Sequence, residues 1–316
     1  MKALVTGGAG FIGSHVAEAY LKAGFQVTVV DNLSTGDNGN LPPGVEFIEA
    51  DIGDRVLSEI IKTGGFDLVN HHAAQIDVRA SVKDPVSDAR TNILGSLNLL
   101  EACRAAGIKK FIFASTGGAI YGEQDYFPAN EEHPQRPVSP YGITKLSVEK
   151  YLYYYRLSSG MVTVVLRYGN VYGPRQNAMG EAGVMAIFAR KMLLGQEPVI
   201  NGDGLQTRDY VYVGDVARAN LLAAQRNQSG VFNIGTGKET NVIDVFRLLR
   251  DALSSTVPDV YGPSAPGEQR RSVLDWAKAE KEMGWRPAVG LKEGIGLTAD
   301  YFRKRYEAEI EGGKRR

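Results

Sequence analysis

The sequence has very little cysteine, no long apolar run and no imbalance of charge. Cys103 is the single cysteine, so the chain cannot form an internal disulfide. No stretch approaches the roughly 18 uninterrupted apolar residues that a membrane-spanning helix needs. The 36 basic and 36 acidic residues balance without blocks of like charge, which argues against a nucleic-acid or anionic-membrane surface. These absences predict a cytoplasmic protein whose partner is a small molecule.

The alternation of apolar runs and amphipathic segments predicts the fold. In the first half of the chain, short runs rich in Val, Ile and Phe are separated by segments of helical length, which is typical of a parallel sheet. We predict an α/β fold with a doubly wound, Rossmann-type parallel sheet and a smaller, mixed α/β C-terminal domain. The expected bounds are 1–174, with a return of the chain around 208–238, and 175–316. The predicted strands are 2–6, 26–30, 45–50, 67–72, 110–115 and 162–167.

Glycine is abundant, with 37 residues, and it is concentrated where the first predicted strand ends. Residues 7–13 read Gly-Gly-Ala-Gly-Phe-Ile-Gly, in which Gly8, Gly10 and Gly13 fit the dinucleotide-binding fingerprint. Glycine is needed there because the turn is tight and the backbone approaches the pyrophosphate, which the N-terminus of the next helix then binds. Asp31 ends the second predicted strand, about 20 residues further on. An acid at this place accepts hydrogen bonds from the ribose 2′-hydroxyl and repels a 2′-phosphate, so we predict NAD rather than NADP.

A second motif lies at residues 139–145, Ser-Pro-Tyr-Gly-Ile-Thr-Lys, at the start of a predicted helix. Tyr141 and Lys145 share a helix face, which would place the ammonium near the phenol. We expect this cation to lower the pKa of Tyr141 and make it a general base for an alcohol. A solvated helix face is the alternative interpretation of such a pair. Ser115 and Thr116 end the fifth predicted strand, at the sheet edge where ligands bind in such folds.

Together these motifs resemble the extended short-chain dehydrogenase/reductase family over almost the whole chain. The sequence is most similar to the branch of UDP-glucose 4-epimerases. The segments that carry this similarity are Ala73-Ala74-Gln75, residues 116–122 with Ile120-Tyr121-Gly122, residues 166–175 with Tyr168-Gly169-Asn170, and Arg208-Asp209-Tyr210.

The resemblance implies an activity and a set of site residues. A UDP-hexose would be inverted at C4 through a transient 4-keto sugar, with NAD as a tightly bound cofactor and Tyr141, Lys145 and Thr116 as catalytic residues. A homodimer is implied, and no metal. The implied cofactor-binding residues are Gly7, Gly10, Phe11, Ile12, Gly13, Asp31, Asn32, Ser34, Thr35, Gly36, Asp51, Ile52, Ala73, Ala74, Gln75, Asn92, Ser115, Tyr141, Lys145 and Tyr168. The implied substrate-binding residues are Thr116, Asn170, Arg208, Glu268 and Ser272.

Three positions depart from the family pattern. Residues 117–119 place one residue more than usual before Ile120-Tyr121-Gly122, so we assign the catalytic hydroxyl to Thr116 and keep Ser115 as the second choice. Ala265 stands where a basic residue is common, and Arg270 or Arg271 would have to replace it. Ser272 stands where some relatives carry a bulky Tyr, which leads to the hypothesis that N-acetylated UDP-sugars are also accepted.

Two other functions remain open at this point. A nucleotide-sugar 4,6-dehydratase or a UDP-glucuronate decarboxylase would share the loop and the Tyr-Lys pair, but dehydratases usually carry Asp-Glu where this chain has Gly117-Gly118. A non-catalytic NAD-binding regulatory protein would tend to lose the Tyr or the Lys. We interpret His71 and His72 as packing or cofactor-lining residues and Cys103 as a core residue.

Overall fold

The protein is built from thirteen strands and twelve α-helices within the residues that the computed structural model describes, 1–178, 183–264 and 269–307. The strands are β1 Lys2–Thr6, β2 Gln26–Asp31, β3 Glu46–Glu49, β4 Leu68–His71, β5 Lys110–Thr116, β6 Val162–Tyr168, β7 Asn170–Tyr172, β8 Val199–Asn201, β9 Thr207–Arg208, β10 Tyr210–Tyr212, β11 Gly230–Ile234, β12 Thr240–Asn241 and β13 Val260–Gly262. The helices are α1 Phe11–Lys22, α2 Val56–Gly64, α3 Val78–Lys83, α4 Pro85–Ala89, α5 Ser96–Ala105, α6 Gly117–Ile120, α7 Pro140–Ser159, α8 Val184–Leu193, α9 Val213–Gln225, α10 Val242–Leu253, α11 Ala277–Met283 and α12 Leu291–Arg305. A π-helical segment, Arg90–Gly95, joins α4 to α5.

Seven strands form one parallel sheet in the order β11-β6-β5-β4-β1-β2-β3. The predicted α/β fold is thereby confirmed, and each of the six predicted strands is present with ends shifted by one residue at most. The seventh strand, β11, was not predicted. It is only five residues long and begins with glycine. It pairs with β6, but it lies in a part of the chain where strands and helices no longer alternate regularly.

Both faces of the sheet are covered by helices because successive apolar side chains of each strand point to opposite faces. In β5, Ile112 packs on the face covered by α1 and α9, whereas Phe111 and Phe113 pack on the face covered by α2, α5 and α7. Buried on both faces, the strands read as continuous apolar runs. Cys103 is a fully buried free thiol in the second of these layers, as predicted. A third apolar cluster joins α8, α10 and α12 in the C-terminal half.

The carboxyl ends of the central strands lie at one edge of the sheet, and the C-terminal half of the chain faces that edge. Three separate two-stranded sheets, β7 with β10, β8 with β13 and β9 with β12, lie outside the main sheet. Helix α7 begins beside this edge, and the residues at its start determine where it begins. Ser139 caps it by accepting from Gly142 N at 3.1 Å, and Pro140 stands in its first turn. Within the described residues, every helix is too short or too polar to cross a membrane.

Candidate active site

The glycine loop between β1 and α1 packs so closely on neighbouring backbone that two of its positions have no space for a side chain. Gly7 has φ +69°, and a Cβ there would lie 2.5 Å from Ala73 N. A Cβ on Gly13 would lie 2.2 Å from the carbonyl oxygen of Gly7, so the helix can pack on the loop only without a side chain. Helix α1 begins at Phe11 with no side-chain cap and no acid in its first turn. Its amides are therefore suited to a phosphate, which is the chemistry expected of this loop.

Asp31 lies next to the glycine loop and is 7% exposed. Its carboxylate accepts from Ala9 N at 3.0 Å through one oxygen and from Leu33 N at 2.9 Å through the other. Since an ionised carboxylate has about four acceptor positions, capacity remains for a ribose hydroxyl. Asn32 donates to Asp51 at 2.6 Å, which brings the two predicted adenosine-side residues together.

The segment after β4 is fixed by a reciprocal pair of hydrogen bonds. Gln75 N donates to Asn92 Oδ1 at 2.9 Å, and Asn92 Nδ2 donates to Gln75 O at the same distance. Asn92 is 2% exposed and lies in the π-helical segment, a kind of helix distortion that occurs frequently at functional sites. The Asn92 side chain therefore holds the predicted cofactor loop, residues 73–75, by hydrogen bonds to the backbone of Gln75.

Tyr141 and Lys145 are brought together, but with a different electrostatic effect from the one expected. Lys145 is 4% exposed, which excludes a solvated helix face. Its Nζ donates to Ala114 O at 3.0 Å and lies 5.9 Å from the centre of the Tyr141 ring. Desolvation by its surroundings, followed by the charge of Asp88, raises the pKa of Tyr141, and burial lowers the pKa of Lys145 to about 8. The expected lowering of the Tyr141 pKa is therefore wrong for the chain by itself, because desolvation dominates.

The two hydroxyls at the end of β5 point to different places. Ser115 is 4% exposed and donates to Glu149 Oε1 at 2.6 Å, away from the cavity. Thr116 is partly exposed, caps α6 by accepting from Ala119 N at 3.2 Å, and lines the cavity. A Cβ on Gly118 would lie 3.9 Å from Thr116 Oγ1 and 3.8 Å from Asn170 Oδ1. The geometry thus favours Thr116 over Ser115 as the hydroxyl that reaches a ligand.

A cavity of about 950 Å³ opens at the carboxyl edge of the sheet between the two halves of the chain. It is lined by Thr116, Tyr141, Asn170 and Arg208, which are four of the predicted site residues. Gln269 also lines it, whereas Ser272 is 2% exposed and is not one of the lining residues in the described parts of the chain. Ala265 and Glu268 lie outside the described residues.

Tyr168 and His71 are buried, and His72 is partly buried beside Tyr168. Tyr168 is 5% exposed, accepts from Asn220 Nδ2 at 2.8 Å and stacks on His72 with ring centres 6.3 Å apart. His71 hydrogen-bonds with Thr6 and Ser96, so both histidines take part in packing. Burial lowers the pKa of His72 to about 3. In the described parts of the chain, no three His, Cys, Asp or Glu side chains are grouped as metal ligands.

The two arginines proposed as substitutes at the Ala265 position are paired with carboxylates. Arg270 bonds to Asp203 at 2.9 Å, and Arg271 bonds to Glu239 at 2.8 Å. Their role toward a diphosphate stays a prediction.

Sequence reasoning missed a buried ion pair directly beneath the site. Arg167 and Glu149, whose side chains are 2% and 4% exposed, are joined at 2.6 Å. Arg167 also donates to Tyr121 Oη at 2.9 Å, and Glu149 accepts the Ser115 hydroxyl. Charged residues inside an apolar strand and on the buried face of α7 were the available signal, because such residues are rarely buried unpaired.

Asp209 was also missed as a structural centre of the substrate side. It is 1% exposed, and its carboxylate accepts from Thr236 N at 2.7 Å, Gly237 N at 3.1 Å and Leu274 N at 3.1 Å. Its carbonyl oxygen accepts from Asn170 N at 2.7 Å. Asp209 therefore fixes the backbone next to Arg208 and at Asn170.

The fold and the site define a Rossmann-type, NAD-dependent enzyme with a Tyr-Lys pair. The model of the NAD-dependent epimerase/dehydratase family matches residues 3–235, and the chain belongs to this family. It is 40% identical to a UDP-glucose 4-epimerase of Mycolicibacterium smegmatis, over 96% of this chain and 99% of the relative.

Two solved structures extend the comparison. A UDP-glucose 4-epimerase of Thermotoga maritima, solved with UDP-glucose, is 51% identical and has a TM-score of 0.95, with 96% of this chain and 99% of that chain covered. A UDP-glucose 4-epimerase of Thermus thermophilus, in complex with NAD, is 47% identical with a TM-score of 0.91 and the same coverage.

Proposed function

We propose that this chain is an NAD-dependent UDP-glucose 4-epimerase, an isomerase that inverts C4 of a UDP-hexose. The observation that carries this conclusion is the convergence of Thr116, Tyr141, Asn170 and Arg208 on one cavity at the carboxyl edge of the sheet. The similarity to epimerases over nearly the full length supports the same reaction.

The residues around the glycine loop fit NAD. The uncapped start of helix α1 provides backbone donors, Gly7 and Gly13 let the loop pack closely on neighbouring backbone without a side chain, and Asp31 provides an acceptor for a ribose hydroxyl. In this proposal residues 1–174, with the returning segment 208–238, hold NAD, and residues 175–316 mainly hold the sugar nucleotide. When bound, NAD supplies reversible hydride transfer, which converts C4 to a ketone and back with no net redox change.

The chain's own residues move the proton and hold the substrate. Tyr141 accepts the proton of the 4-hydroxyl and returns it when the ketone is reduced, so the proton balance closes. Thr116 hydrogen-bonds the same oxygen, and Lys145 stabilises negative charge on the phenol oxygen through its ammonium. Arg208 suits bidentate contact with the diphosphate, and Asn170 contacts it through its amide. Because desolvation favours the neutral phenol, phenolate character would have to arise from positive charge near the phenol oxygen, supplied by the Lys145 ammonium and by the nicotinamide when NAD is bound.

The same cavity disfavours dehydration as the function. Elimination of water needs an acid and a base next to the catalytic hydroxyl, and Gly117-Gly118 supplies neither. A Cβ on Gly118 would make only ordinary contacts with Thr116 and Asn170, and Gly118 itself carries no group that could donate or accept a proton. A non-catalytic scaffold is disfavoured because the buried Lys145 is retained at a cost in desolvation.

The sugar range is part of the proposal. We infer that UDP-N-acetylglucosamine is accepted besides UDP-glucose, because Ser272 has a small side chain where some relatives carry a bulky Tyr. Turnover of the two sugars by equal quantities of enzyme tests this; absence of turnover of the acetylated sugar would refute it. The S272Y variant should lose the acetylated sugar first.

A homodimer and a cytoplasmic location belong to the same proposal. Helix α7 exposes large apolar side chains at Ile143, Tyr153, Tyr154 and Leu157. Such a face suits a helix bundle with a second copy of the chain. Light scattering should give twice 34.3 kDa, and a mass near one chain would reject the dimer. The single Cys103 is a free, buried thiol, which suits a reducing compartment.

A coupled assay with UDP-galactose tests the proposed reaction. UDP-glucose should form without added NAD if the cofactor is retained, or after NAD is added if it is lost. The Y141F variant should fold with unchanged melting temperature and lose the activity. Full activity of Y141F would exclude Tyr141 as the base.

A further inference from the structure

A buried carboxylate next to the catalytic helix has no part in the reaction described so far. Asp88, in the short helix α4, is 1% exposed. Its Oδ1 accepts from Gln75 Nε2 at 2.8 Å and from Asn92 Nδ2 at 3.0 Å, and its Oδ2 accepts from Thr144 Oγ1 at 2.9 Å. An ionised carboxylate, which only accepts, satisfies all three donors.

These three donors come from three segments that meet at the site. Gln75 belongs to the predicted cofactor loop and Asn92 to the π-helical segment. Thr144 lies near the start of α7, three residues after Tyr141. Asp88 therefore ties the start of the catalytic helix to the cofactor loop. All three donors are neutral, so they solvate the carboxylate without neutralising its charge.

Several other titratable groups face the Tyr141–Lys145 pair. Glu149 follows Lys145 on α7, but it is paired with Arg167. His71 and His72, at the end of β4, are kept neutral because burial lowers their pKa values far below 6.5. Arg79, on α3, lines the same cavity as Tyr141. Among the anions of this group, Asp88 is the one whose bonded partners carry no charge.

We propose that Asp88 is a positioning residue whose negative charge keeps Lys145 an ammonium and Tyr141 a phenol in the resting enzyme. This inference rests on the proposed function for its meaning in catalysis. Burial alone would favour a neutral Lys145, and a neutral amine could not stabilise a phenolate. The charge of Asp88 opposes that loss, and it also restricts phenolate formation to the liganded site.

The direction of the electrostatic effect agrees with this geometry. After burial, the charge of Asp88 is the next largest influence on the pKa of both groups, and it raises both. Removal of the charge should therefore lower both pKa values. A residue with a purely structural role would change stability and leave these protonation equilibria in place.

The D88N variant removes the charge and can keep the contacts. The Asn oxygen can accept from Gln75 and Asn92, and its amide can donate to Thr144. The Thr144 hydroxyl can then donate to Tyr141 O, which lies 3.0 Å away. The matched control is T144V, which removes one tie to the helix and leaves the charge. D88S is a second charge-removing variant in case D88N folds poorly.

The experiment compares wild type, D88N and T144V by two readouts. In the pH profile of kcat/KM, both limbs should move to lower pH in D88N and stay in place in T144V. In carbon NMR of the holoenzyme with lysine labelled at Cε, and with the Lys145 signal assigned by K145M, Lys145 should titrate at lower pH in D88N than in wild type.

An unchanged Lys145 titration in D88N and D88S, or equal shifts in D88N and T144V, would overturn the proposal. The NMR titration needs no turnover. If the wild type turned over no UDP-sugar, the proposed function would fail, and the role of Asp88 would still be decided by the Lys145 signal.

Discussion

Replacement of Glu149 by Gln should destabilise the protein far more than loss of an exposed charge. Glu149 Oε1 accepts from Ser115 at 2.6 Å and from Arg167 Nε at 3.0 Å, and Oε2 accepts from a terminal nitrogen of Arg167 at 2.6 Å. Gln can keep the first two contacts. The NH2 group of the Gln side chain then faces the terminal nitrogen of Arg167, so two donors oppose each other. Arg167 also stays buried without a counter-charge.

The magnitude follows from this loss. One charge-assisted hydrogen bond contributes about 1.5–3 kcal/mol, and breaking a buried pair by removing one partner costs about 3–5 kcal/mol in total. We therefore expect E149Q to lower the free energy of unfolding by about 3 kcal/mol or more. The matched control is D300N, since Asp300 pairs with Arg303 at 2.9 Å and the two side chains are 67% and 46% exposed. Its cost should stay near 0.5 kcal/mol.

Urea unfolding at one protein and NAD concentration measures both variants, because ligand binding and self-association shift apparent stability. The midpoint should fall in E149Q with the slope unchanged. A cost below about 1 kcal/mol, or one equal to that of D300N, would refute the reasoning about the buried pair. The double variant E149L/R167M should recover part of the loss, since it leaves no buried charge.

Three further predictions address the loop, the hydroxyl and the pH dependence. G13A should cost about 1–3 kcal/mol by overpacking and abolish the rise in melting temperature on adding NAD, whereas G296A, in open space, should preserve that rise. T116V should lower kcat by roughly 100-fold, whereas S115A should mainly lower the urea midpoint. A large loss of kcat in S115A with little loss in T116V would instead make Ser115 the catalytic hydroxyl. Burial lowers the pKa of His15 to about 4, so the unfolded chain takes up a proton below pH 6.5 that the folded chain does not. Stability should fall by at most about 3 kcal/mol between these pH values. An H15N variant whose free energy of unfolding fell by the same amount between pH 6.5 and 4 would contradict this assignment.

The parts of the site that are local in sequence could be predicted. Gly7, Gly13 and Asp31 follow from a strand, a turn and a helix in immediate succession. Tyr141 and Lys145 follow from helical spacing. The fold class follows for the same reason, because apolar runs of strand length alternate with helices.

The parts that depend on tertiary packing could not be predicted. β11 pairs with β6 across more than sixty residues of chain, and its own pattern is too short to mark it. The link between Asp88 and Thr144 joins two helices through a buried carboxylate. The raised pKa of Tyr141 reflects the desolvation of the folded site, which the spacing to Lys145 does not reveal.

Transfer of the C4 hydrogen tests the central claim most directly. UDP-galactose carrying deuterium at C4 is converted by the enzyme in ordinary water, and the position of deuterium in the product is read by mass spectrometry and NMR. We predict UDP-glucose with deuterium retained at C4, because the hydride leaves and returns at the same carbon within one site. Loss of deuterium to the solvent, or no conversion of UDP-galactose with NAD present, would contradict it.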